Sequence, residues 1–295
     1  MTPESMVEES VIAVGRTGSH QSSSSDNVVP YRTLARRARL FGVVCLLGAL
    51  MPAVPAAAIV GGQPDGNGHP YVGFLDASPI GRPDGPTGVL ISPTVLLTAG
   101  HVTQSFADKG LTHPRVTFEP VASTASTWYM GTVNTNPAYD PLRIDDPGDL
   151  GVVVLDRPVA GITLASLPTA GLLDALGPQG LSGTTFTVVG YGASSLLGGS
   201  NSGGPPHWDP YSGGTRKLAE QTFLSLTPGW LRVQEHADGQ ICVGDSGSPS
   251  LFAGSNVIAG ITVAFVGGLC ANSAGDERVD TQAARAFLGQ YVTLP

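Results

Sequence analysis

The apolar residues of this chain are grouped in short runs, and these runs are separated by glycine and proline. Examples are Tyr71–Leu75, Gly88–Ser92, Leu150–Leu155 and Val257–Val266. Runs of this length, bounded by turn residues, are typical of β-strands. The chain has 40 glycines and 24 prolines among 295 residues, and only 13% of its residues are charged. This composition favours many short strands and turns over long helices. We therefore expect an all-β protein of one large or two small domains.

The segment Gln240–Pro249 reads Gln-Ile-Cys-Val-Gly-Asp-Ser-Gly-Ser-Pro and holds Ser246 between small residues. Glycine on both sides of Asp245 and Ser246 permits backbone conformations that a Cβ atom would obstruct. In such a loop the N–H groups of Gly244 and Ser246 can converge on the negative oxygen of a tetrahedral intermediate, as an oxyanion hole. A serine hydroxyl needs a general base to act as a nucleophile, and the base needs an orienting group. A nucleophilic Ser246 therefore requires a histidine and an aspartate elsewhere in the chain.

Both residue types occur in suitable settings. His101 follows the apolar run Leu96–Gly100, and Asp149 directly precedes the strand-like run Leu150–Leu155. An aspartate at the start of a buried strand needs a hydrogen-bond partner, and an imidazole N–H supplies one. The remaining histidines lack comparable settings, and no spacing of histidine and cysteine suggests a zinc site.

Three further acids compete with Asp149 for the orienting role. Asp140, Asp145 and Asp146 lie in a polar loop that is bounded by prolines. We interpret them as solvated loop charges, with a weak calcium site as the alternative.

Five segments occur in the order of the landmark segments of trypsin-like (chymotrypsin-fold) serine peptidases of the bacterial secreted type, and they resemble them. They are Ile59–Gly62, Leu97–His101, Asp149–Leu155, Val189–Gly192 and Gly244–Pro249. The resemblance implies two antiparallel six-stranded β-barrels with a C-terminal α-helix. The implied peptidase domain covers 59–295, with the first barrel at about 59–165 and the second barrel plus helix at about 166–295. Helical spacing from Asp280 to Val292 agrees with this and predicts Asp280 as the N-cap.

The resemblance also implies the chemistry, which is hydrolysis of peptide bonds through an acyl-enzyme and without a cofactor or metal. Ser246 would be the nucleophile, His101 the general base and Asp149 the orienting acid. The family's residue six positions before the nucleophile forms the floor of the primary substrate pocket, and here that residue is the neutral Gln240. Val263 and Phe265 match the pocket walls. We expect a neutral or apolar preference, and the alternative is that Asp276 or Glu277 reaches the pocket base and selects basic residues.

Residues 1–58 predict a disordered extension followed by a secretory signal peptide, whose core is at about 31–58. Four arginines between Arg32 and Arg39 precede the apolar run Leu40–Leu50, and Met51–Ala58 ends in small residues. The apolar run is short for a membrane span, which needs about 20 residues, and this favours a cleaved signal peptide. An uncleaved anchor is the alternative. We expect a secreted, extracellular protein that is not held at a membrane after cleavage.

Removal of the signal peptide has a further consequence in the family that the chain resembles. There a freed isoleucine terminus pairs with the aspartate before the nucleophile, which here implies a pair of Ile59 and Asp245. A buried carboxylate is stabilised by a cation, and the new α-ammonium group is one. Because Ala56–Ala58 is itself a signal-peptidase site, we hypothesise that signal removal creates this terminus directly, without a separate zymogen.

The cysteines and the net charge limit the remaining possibilities. Cys242 and Cys270 are an even pair outside the signal segment, and in a secreted protein we expect them to form a disulfide, with two free thiols as the alternative. The formal charge of −8 argues against nucleic-acid binding. We expect a monomer that binds a protein or peptide substrate. The competing function is a catalytically silent binding protein on the same fold.

Overall fold

The structure is a computed structural model that describes residues 59–76, 85–199, 204–266, 270 and 273–295. The predicted extension and signal peptide, residues 1–58, lie outside the described residues. The strands are β1 Gln63–Pro64, β2 Val72–Asp76, β3 Thr87–Ser92, β4 Val95–Ala99, β5 Arg115–Thr117, β6 Tyr129–Thr135, β7 Leu150–Leu155, β8 Thr185–Gly190, β9 Leu196–Gly199, β10 Gly204–Trp208, β11 Lys217–Leu226, β12 Trp230–Glu235, β13 Pro249–Phe252, β14 Ile258–Val266 and β15 Ser273–Arg278. The helices are α1 Gly100–Asp108, α2 Leu172–Leu181 and α3 Gln282–Leu288.

Strands β2 to β7 form a closed antiparallel barrel in the order β2-β3-β4-β7-β6-β5. The pairing of β2 with β5, in which Leu75 lies opposite Val116, closes the barrel. Alternate side chains of a strand point to opposite faces, so one set fills the barrel interior. In β4 and β7 nearly all side chains are buried, because α1 and neighbouring segments cover the outer face. This burial explains why these strands are continuous apolar runs in the sequence.

The second barrel is built from later strands in the order β11-β12-β15-β14-β13-β8, and pairing of β8 with β11 closes it. The short β1 strand adds to β11, with Gln63 opposite Leu218. Helix α3 follows β15 near the C-terminus. The predicted fold, two six-stranded antiparallel barrels and a C-terminal helix, is confirmed.

Two local features were not evident from the sequence. Helix α2 contains Gly177, with φ of 63°, and Pro178, so it is broken inside and its sequence does not have a helical appearance. Strands β9 and β10 pair as a hairpin within a Gly/Ser/Pro-rich segment that reads as a loop. None of the described helices is long and apolar enough to cross a bilayer.

The predicted N-cap of the C-terminal helix is wrong by one residue. The N-cap is Thr281, whose side-chain oxygen accepts a hydrogen bond from Ala284 N at 3.1 Å. Asp280 is buried instead, where it accepts hydrogen bonds from Leu173 N at 2.8 Å and from the Arg278 guanidinium. An N-cap side chain must lie over the first turn of its own helix, and here Asp280 is committed to α2.

Arg216 joins the N-terminal segment to both barrels from a fully buried position. Its Nε donates to Asp65 Oδ2 at 2.8 Å, and its Nη1 donates to the carbonyl oxygens of Val72 and Phe118 and to the Tyr191 hydroxyl. A buried charge is tolerated only when it is paired and fully hydrogen-bonded. Arg216 therefore links the first residues of the domain to both barrels through hydrogen bonds.

Candidate active site

His101 and Asp149 are brought together by the pairing of β4 with β7. Ala99, the last residue of β4, lies opposite Leu150, the first residue of β7, so the residues that follow and precede them leave the barrel at the same end. Gly100 permits this approach, because a Cβ atom there would lie 2.9 Å from the Leu150 backbone and 3.0 Å from Asp149 Oδ1. The apolar runs that flank both residues in the sequence are thus the scaffold of the pair.

Asp149 holds His101 by one hydrogen bond to its backbone and one to its imidazole. Asp149 Oδ1 accepts from His101 N at 2.6 Å, and Asp149 Oδ2 lies 2.9 Å from His101 Nδ1. The side chain of Asp149 is 9% exposed and that of His101 is 33% exposed. With Nδ1 bound to the carboxylate, the proton on Nδ1 is fixed and Nε2 is left as the basic atom.

Ser246 lies in the loop between β12 and β13, and this loop packs on the same end of the first barrel. A Cβ atom on Gly247 would lie 2.2 Å from Thr98 Oγ1, three residues before His101. Gly244 and Gly247 have φ angles of 97° and 89°, which explains the glycines on either side of Asp245 and Ser246. The nucleophile loop, residues 242–248, therefore requires its glycines for both conformation and contact.

The backbone of the nucleophile loop has unused donors next to Ser246. Within the described ranges, neither Gly244 N nor Ser246 N donates to a protein acceptor, whereas Asp245 N donates to Cys242 O at 3.0 Å. The Ser246 hydroxyl also forms no hydrogen bond with a described residue. Unengaged N–H groups beside a serine are what an oxyanion hole requires, and catalytic hydrogen bonds often form only when substrate binds.

Thr87 of β3 fixes this loop, and the sequence did not single it out. Thr87 N donates to Ser246 O at 3.0 Å, and Thr87 Oγ1 donates to Gly244 O at 2.9 Å. The same hydroxyl accepts from Tyr191 N at 3.0 Å. Thr87 is completely buried. Its role depends on the docking of two barrels, for which a threonine in a strand gives no local signal.

Asp245 is buried beneath the nucleophile loop. Its carboxylate accepts hydrogen bonds from Gly192 N and Cys242 N, both at 2.9 Å. Burial raises the pKa of Asp245 to about 7, and these two donors and the charge of Lys217 lower it only in part. No described cation lies within ion-pair distance of this carboxylate. Asp245 is thus a buried acid that lacks a close positive partner in this form of the chain.

The first residues of the domain pair with the segment that leads to Asp245. Val60 and Gln240 exchange two backbone hydrogen bonds of 2.9 Å, and Ile59 is fully buried. Cys242 forms a disulfide with Cys270, which confirms the predicted pairing. Gln240, the predicted pocket floor, is therefore held between the N-terminal segment and the disulfide.

The predicted pocket walls lie on β14. Val263 lines the cleft that contains His101. Phe265 lies opposite Ala274 of β15, and its side chain lies outside the described part. Asp276 is fully buried; burial raises its pKa to about 6, although the hydroxyls of Ser250 and Thr262 and the charge of Arg232 lower it.

Glu277 is buried, interacts with Asp146 and Asp149, and does not line the cleft that contains His101. Burial, a hydrogen bond with Asp146 and the charges of Asp146 and Asp149 together raise the pKa of Glu277 to about 9. Two carboxyl groups in contact cannot both be ionised at low cost, so Glu277 keeps its proton at neutral pH. The loop acid Asp146 is therefore engaged with the second barrel. In the described ranges no group of three or more His, Cys, Asp or Glu residues is placed to hold a metal ion.

A cleft of about 430 Å³ lies beside the His101–Asp149 pair. Its lining includes Trp230, Arg232 and Arg143 in addition to His101 and Asp149. The sequence did not single out Trp230, Arg232 or Arg143. Their place in the cleft results from the packing of the 136–148 loop on β12, where Trp230 Nε1 donates to Ile144 O at 2.7 Å.

Two six-stranded barrels, one with a histidine–aspartate pair and the other with a serine between glycines, are the arrangement of chymotrypsin-fold serine peptidases. The sequence model of the trypsin family matches residues 59–275. The chain belongs to the trypsin family. Comparison with curated protein sequences gave no match.

Solved structures with the same fold include a collagenase, an inactivated protease paralogue and a heparin binding protein. HL collagenase has 17% identity and a TM-score of 0.58, with 75% of this chain and 94% of that chain covered. An inactivated protease paralogue of the scabies mite has 15% identity and a TM-score of 0.57, covering 75% and 93%. A mutant of human heparin binding protein has 18% identity and a TM-score of 0.56, covering 79% and 96%. These likenesses show the fold and do not extend to function.

Proposed function

We propose that this chain is a secreted serine endopeptidase that uses His101, Asp149 and Ser246 as its catalytic triad. The observation that carries the proposal is the hydrogen-bonded pair of His101 and Asp149 at the barrel end on which the Ser246 loop packs. Family membership supports the same chemistry. The enzyme acts on a protein or peptide, as a monomer and without a cofactor.

The reaction follows from the positions of these groups. Ser246 Oγ attacks the carbonyl carbon of the substrate, and His101 Nε2 takes the hydroxyl proton while Asp149 stabilises the resulting imidazolium. The N–H groups of Gly244 and Ser246 bind the oxyanion of the tetrahedral intermediate. His101 then gives its proton to the leaving amine, and the acyl-enzyme forms. Water, deprotonated by His101, hydrolyses this ester and restores the serine.

The N-terminal pair of Ile59 and Asp245 belongs to the same proposal. Two contacts support it: Val60 pairs with Gln240, and Cys242 N, two residues further along the same segment, donates to the carboxylate of Asp245. Cleavage before Ile59 supplies an α-ammonium group, which stabilises the ionised Asp245. N-terminal sequencing of the secreted protein tests this. We expect a start at Ile59 together with activity; an active protein that starts upstream of Ile59 contradicts it.

The primary pocket has a neutral floor in this proposal. The backbone N–H and carbonyl oxygen of Gln240 both form hydrogen bonds with Val60. The side chain of Gln240 is a neutral amide, whereas a basic substrate side chain would need a carboxylate. Glu277 is engaged with Asp146, which supports a neutral or apolar preference over a basic one. Cleavage of a peptide library reports the preference, and cleavage mainly after arginine and lysine would assign the pocket base to Asp276 instead.

Labelling with a fluorophosphonate probe tests the triad. We expect the purified protein to be labelled at Ser246, as identified by peptide mapping, and Ser246→Ala to remove the label. His101→Ala should slow labelling at least about thousandfold, because members of a triad act as a unit. Ser255→Ala is the matched control, since its hydroxyl binds Phe252 O at the far end of β13 and it should label normally. A folded protein without label would be the catalytically silent binding protein.

A further inference from the structure

Two arginines line the cleft beside the His101–Asp149 pair. Arg232 lies on β12 and is half-buried, and Arg143 lies on the 136–148 loop and is exposed. The cleft that they share with His101 and Asp149 has a volume of about 430 Å³, enough for one or two side chains. A substrate that reaches the triad must therefore pass near two guanidinium groups.

The guanidinium group of Arg232 is held in place by its surroundings. Its central carbon lies 4.4 Å from the centre of the Trp230 ring, and Trp230 is itself anchored to Ile144 O. Gly275, opposite Arg232 in β15, leaves room for the side chain, because a Cβ atom there would lie 2.7 Å from Arg232 Nη1. A planar guanidinium fixed by stacking loses little further entropy when it binds a partner.

Neither arginine forms an ion pair with a carboxylate in the part of the chain that the structure describes. Among the described residues no carboxylate lies within 4 Å of Arg143 or Arg232, whereas Arg115, Arg216 and Arg278 all have one. Among the described residues, the guanidinium group of Arg143 donates to Ala138 O alone, at 2.7 Å.

Two of the acids near the cleft are engaged with other groups, since Asp149 binds His101 and Asp146 interacts with Glu277. Asp276 is fully buried, and the charge of Arg232 lowers its pKa although the two groups form no ion pair. The cleft therefore presents guanidinium groups that form no ion pair with a described residue, and a planar guanidinium group can bind a carboxylate through two parallel hydrogen bonds.

We infer that this cleft is a subsite that binds the carboxylate of an aspartate or glutamate side chain of the substrate, close to the scissile bond. The inference rests on the proposed peptidase function. Arg232 would bind the carboxylate, and Arg143 would add attraction from the loop. A neutral floor at Gln240 and a basic side cleft would then make acidic peptides better substrates than basic ones.

Matched internally quenched peptides that carry glutamate or glutamine at each of four positions on either side of a cleaved bond test the subsite. Glutamate and glutamine have the same shape, so their ratio of kcat/KM reports charge. We expect glutamate to be favoured by about 10- to 100-fold at one position, as for a charge-assisted hydrogen bond. Salt should reduce the ratio because the site is open to solvent.

Variants then assign the effect to the two arginines. Arg232→Gln should bring the ratio close to one, Arg232→Lys should keep part of it, and Arg143→Gln should reduce it. Arg157→Gln is the matched control, because Arg157 also stacks on an aromatic ring, at 4.2 Å from Tyr129, but does not line the cleft. If Arg232→Gln does not fold, Arg143→Gln still has to lower the ratio.

The possible failures are distinguishable. An enzyme whose Ser246 is labelled, but which cleaves glutamate and glutamine peptides equally at every position, overturns the subsite and leaves the peptidase in place. The same holds if the preference persists in both Arg232→Gln and Arg143→Gln. A protein that is neither labelled nor able to cleave any peptide overturns the peptidase proposal itself.

Discussion

The hydroxyl of Thr87 lies 2.9 Å from the carbonyl oxygen of Gly244, so a buried side chain of the first barrel holds the nucleophile loop of the second. The backbone N–H of the same threonine binds Ser246 O at 3.0 Å. The histidine–aspartate pair belongs to the first barrel and the serine to the second. Thr87 is therefore a direct link between the two barrels and helps to set the distance between base and nucleophile.

We expect Thr87→Val to lower kcat by about 10- to 100-fold, since small displacements of catalytic groups have effects of this size. It should also destabilise the protein by about 1–3 kcal/mol, because Gly244 O and Tyr191 N lose their buried hydrogen-bond partner. Thr87→Ser keeps the hydroxyl and is the matched control. Steady-state kinetics and urea unfolding measure the two effects, and equal behaviour of both variants would remove Thr87 from any positioning role.

Arg216→Met should destabilise the fold by about 3–5 kcal/mol, because it removes one partner of a buried ion pair and leaves the Asp65 carboxylate without it. Three backbone carbonyls also lose their donor. Lys109→Met, at an exposed position after α1, should change stability by no more than about 0.5 kcal/mol. Denaturant titrations of the two variants give the comparison. If Arg216→Met lowers the free energy of unfolding by as little as the control does, the contacts of Arg216 are dispensable for stability.

The double variant Cys242→Ala and Cys270→Ala should lose about 3–4 kcal/mol of unfolding free energy, as expected for a disulfide that closes a loop of this length. The two cysteines are 28 residues apart and enclose the whole nucleophile loop. Because Cys242 N also binds Asp245, activity should decrease at temperatures well below the new unfolding midpoint. Thermal melts under reducing and oxidising conditions check this: reduction should shift the wild type and leave the double variant unchanged.

The stability of the protein should fall as pH rises from about 5 to 9, and Glu277 should account for the upper part of this range. Its pKa is about 9 in the folded protein against an ordinary value of 4.5, so the native state keeps a proton that the unfolded chain has released. The stabilisation from that proton is complete below about pH 4.5 and is lost as pH approaches 9.

Glu277→Gln tests this, because an amide mimics the protonated acid and still donates to Asp146. Between pH 6 and 9 the variant should show a flatter dependence of unfolding free energy on pH, by as much as about 1.4 kcal/mol per pH unit. Glu220→Gln, on the exposed side of β11, should leave the wild-type slope unchanged. An unaltered slope in Glu277→Gln would mean that the Glu277 carboxyl is already ionised in the native protein.

The strands and the candidate catalytic residues were accessible from sequence because each leaves a local pattern, and the two barrels were implied by the resemblance to trypsin-like serine peptidases. The run Leu150–Leu155 is apolar throughout, since β7 is buried on both faces. The glycines around Ser246 are required by positive φ angles. The disulfide followed from an even pair of cysteines. The strand and the glycine positions are determined within a few residues of the chain and therefore leave a pattern that can be read from the sequence, whereas the disulfide was predicted from the number of cysteines.

The missed features depend on contacts between distant parts of the chain. Thr87 and Gly244 are 157 residues apart, and Asp65 and Arg216 are 151 apart. The cleft arginines acquire their setting only when the 136–148 loop packs on β12. Asp280 has the residue type and spacing of an N-cap, but the proximity of α2 and Arg278 competes for its carboxylate. Local propensity cannot report such competition.

The partners of the short stretch from Val60 to Asp65 also determine when the protein can complete its fold during synthesis. This stretch leaves the ribosome first among the described residues, yet its partners Gln240, Leu218 and Arg216 are all in the second half of the chain. Until these partners have been synthesised, the stretch from Val60 to Asp65 cannot form its contacts with the second half of the chain. A fragment that ends near residue 165 would therefore leave this stretch without a strand to pair with and Asp65 without Arg216, and exposed strand edges favour aggregation.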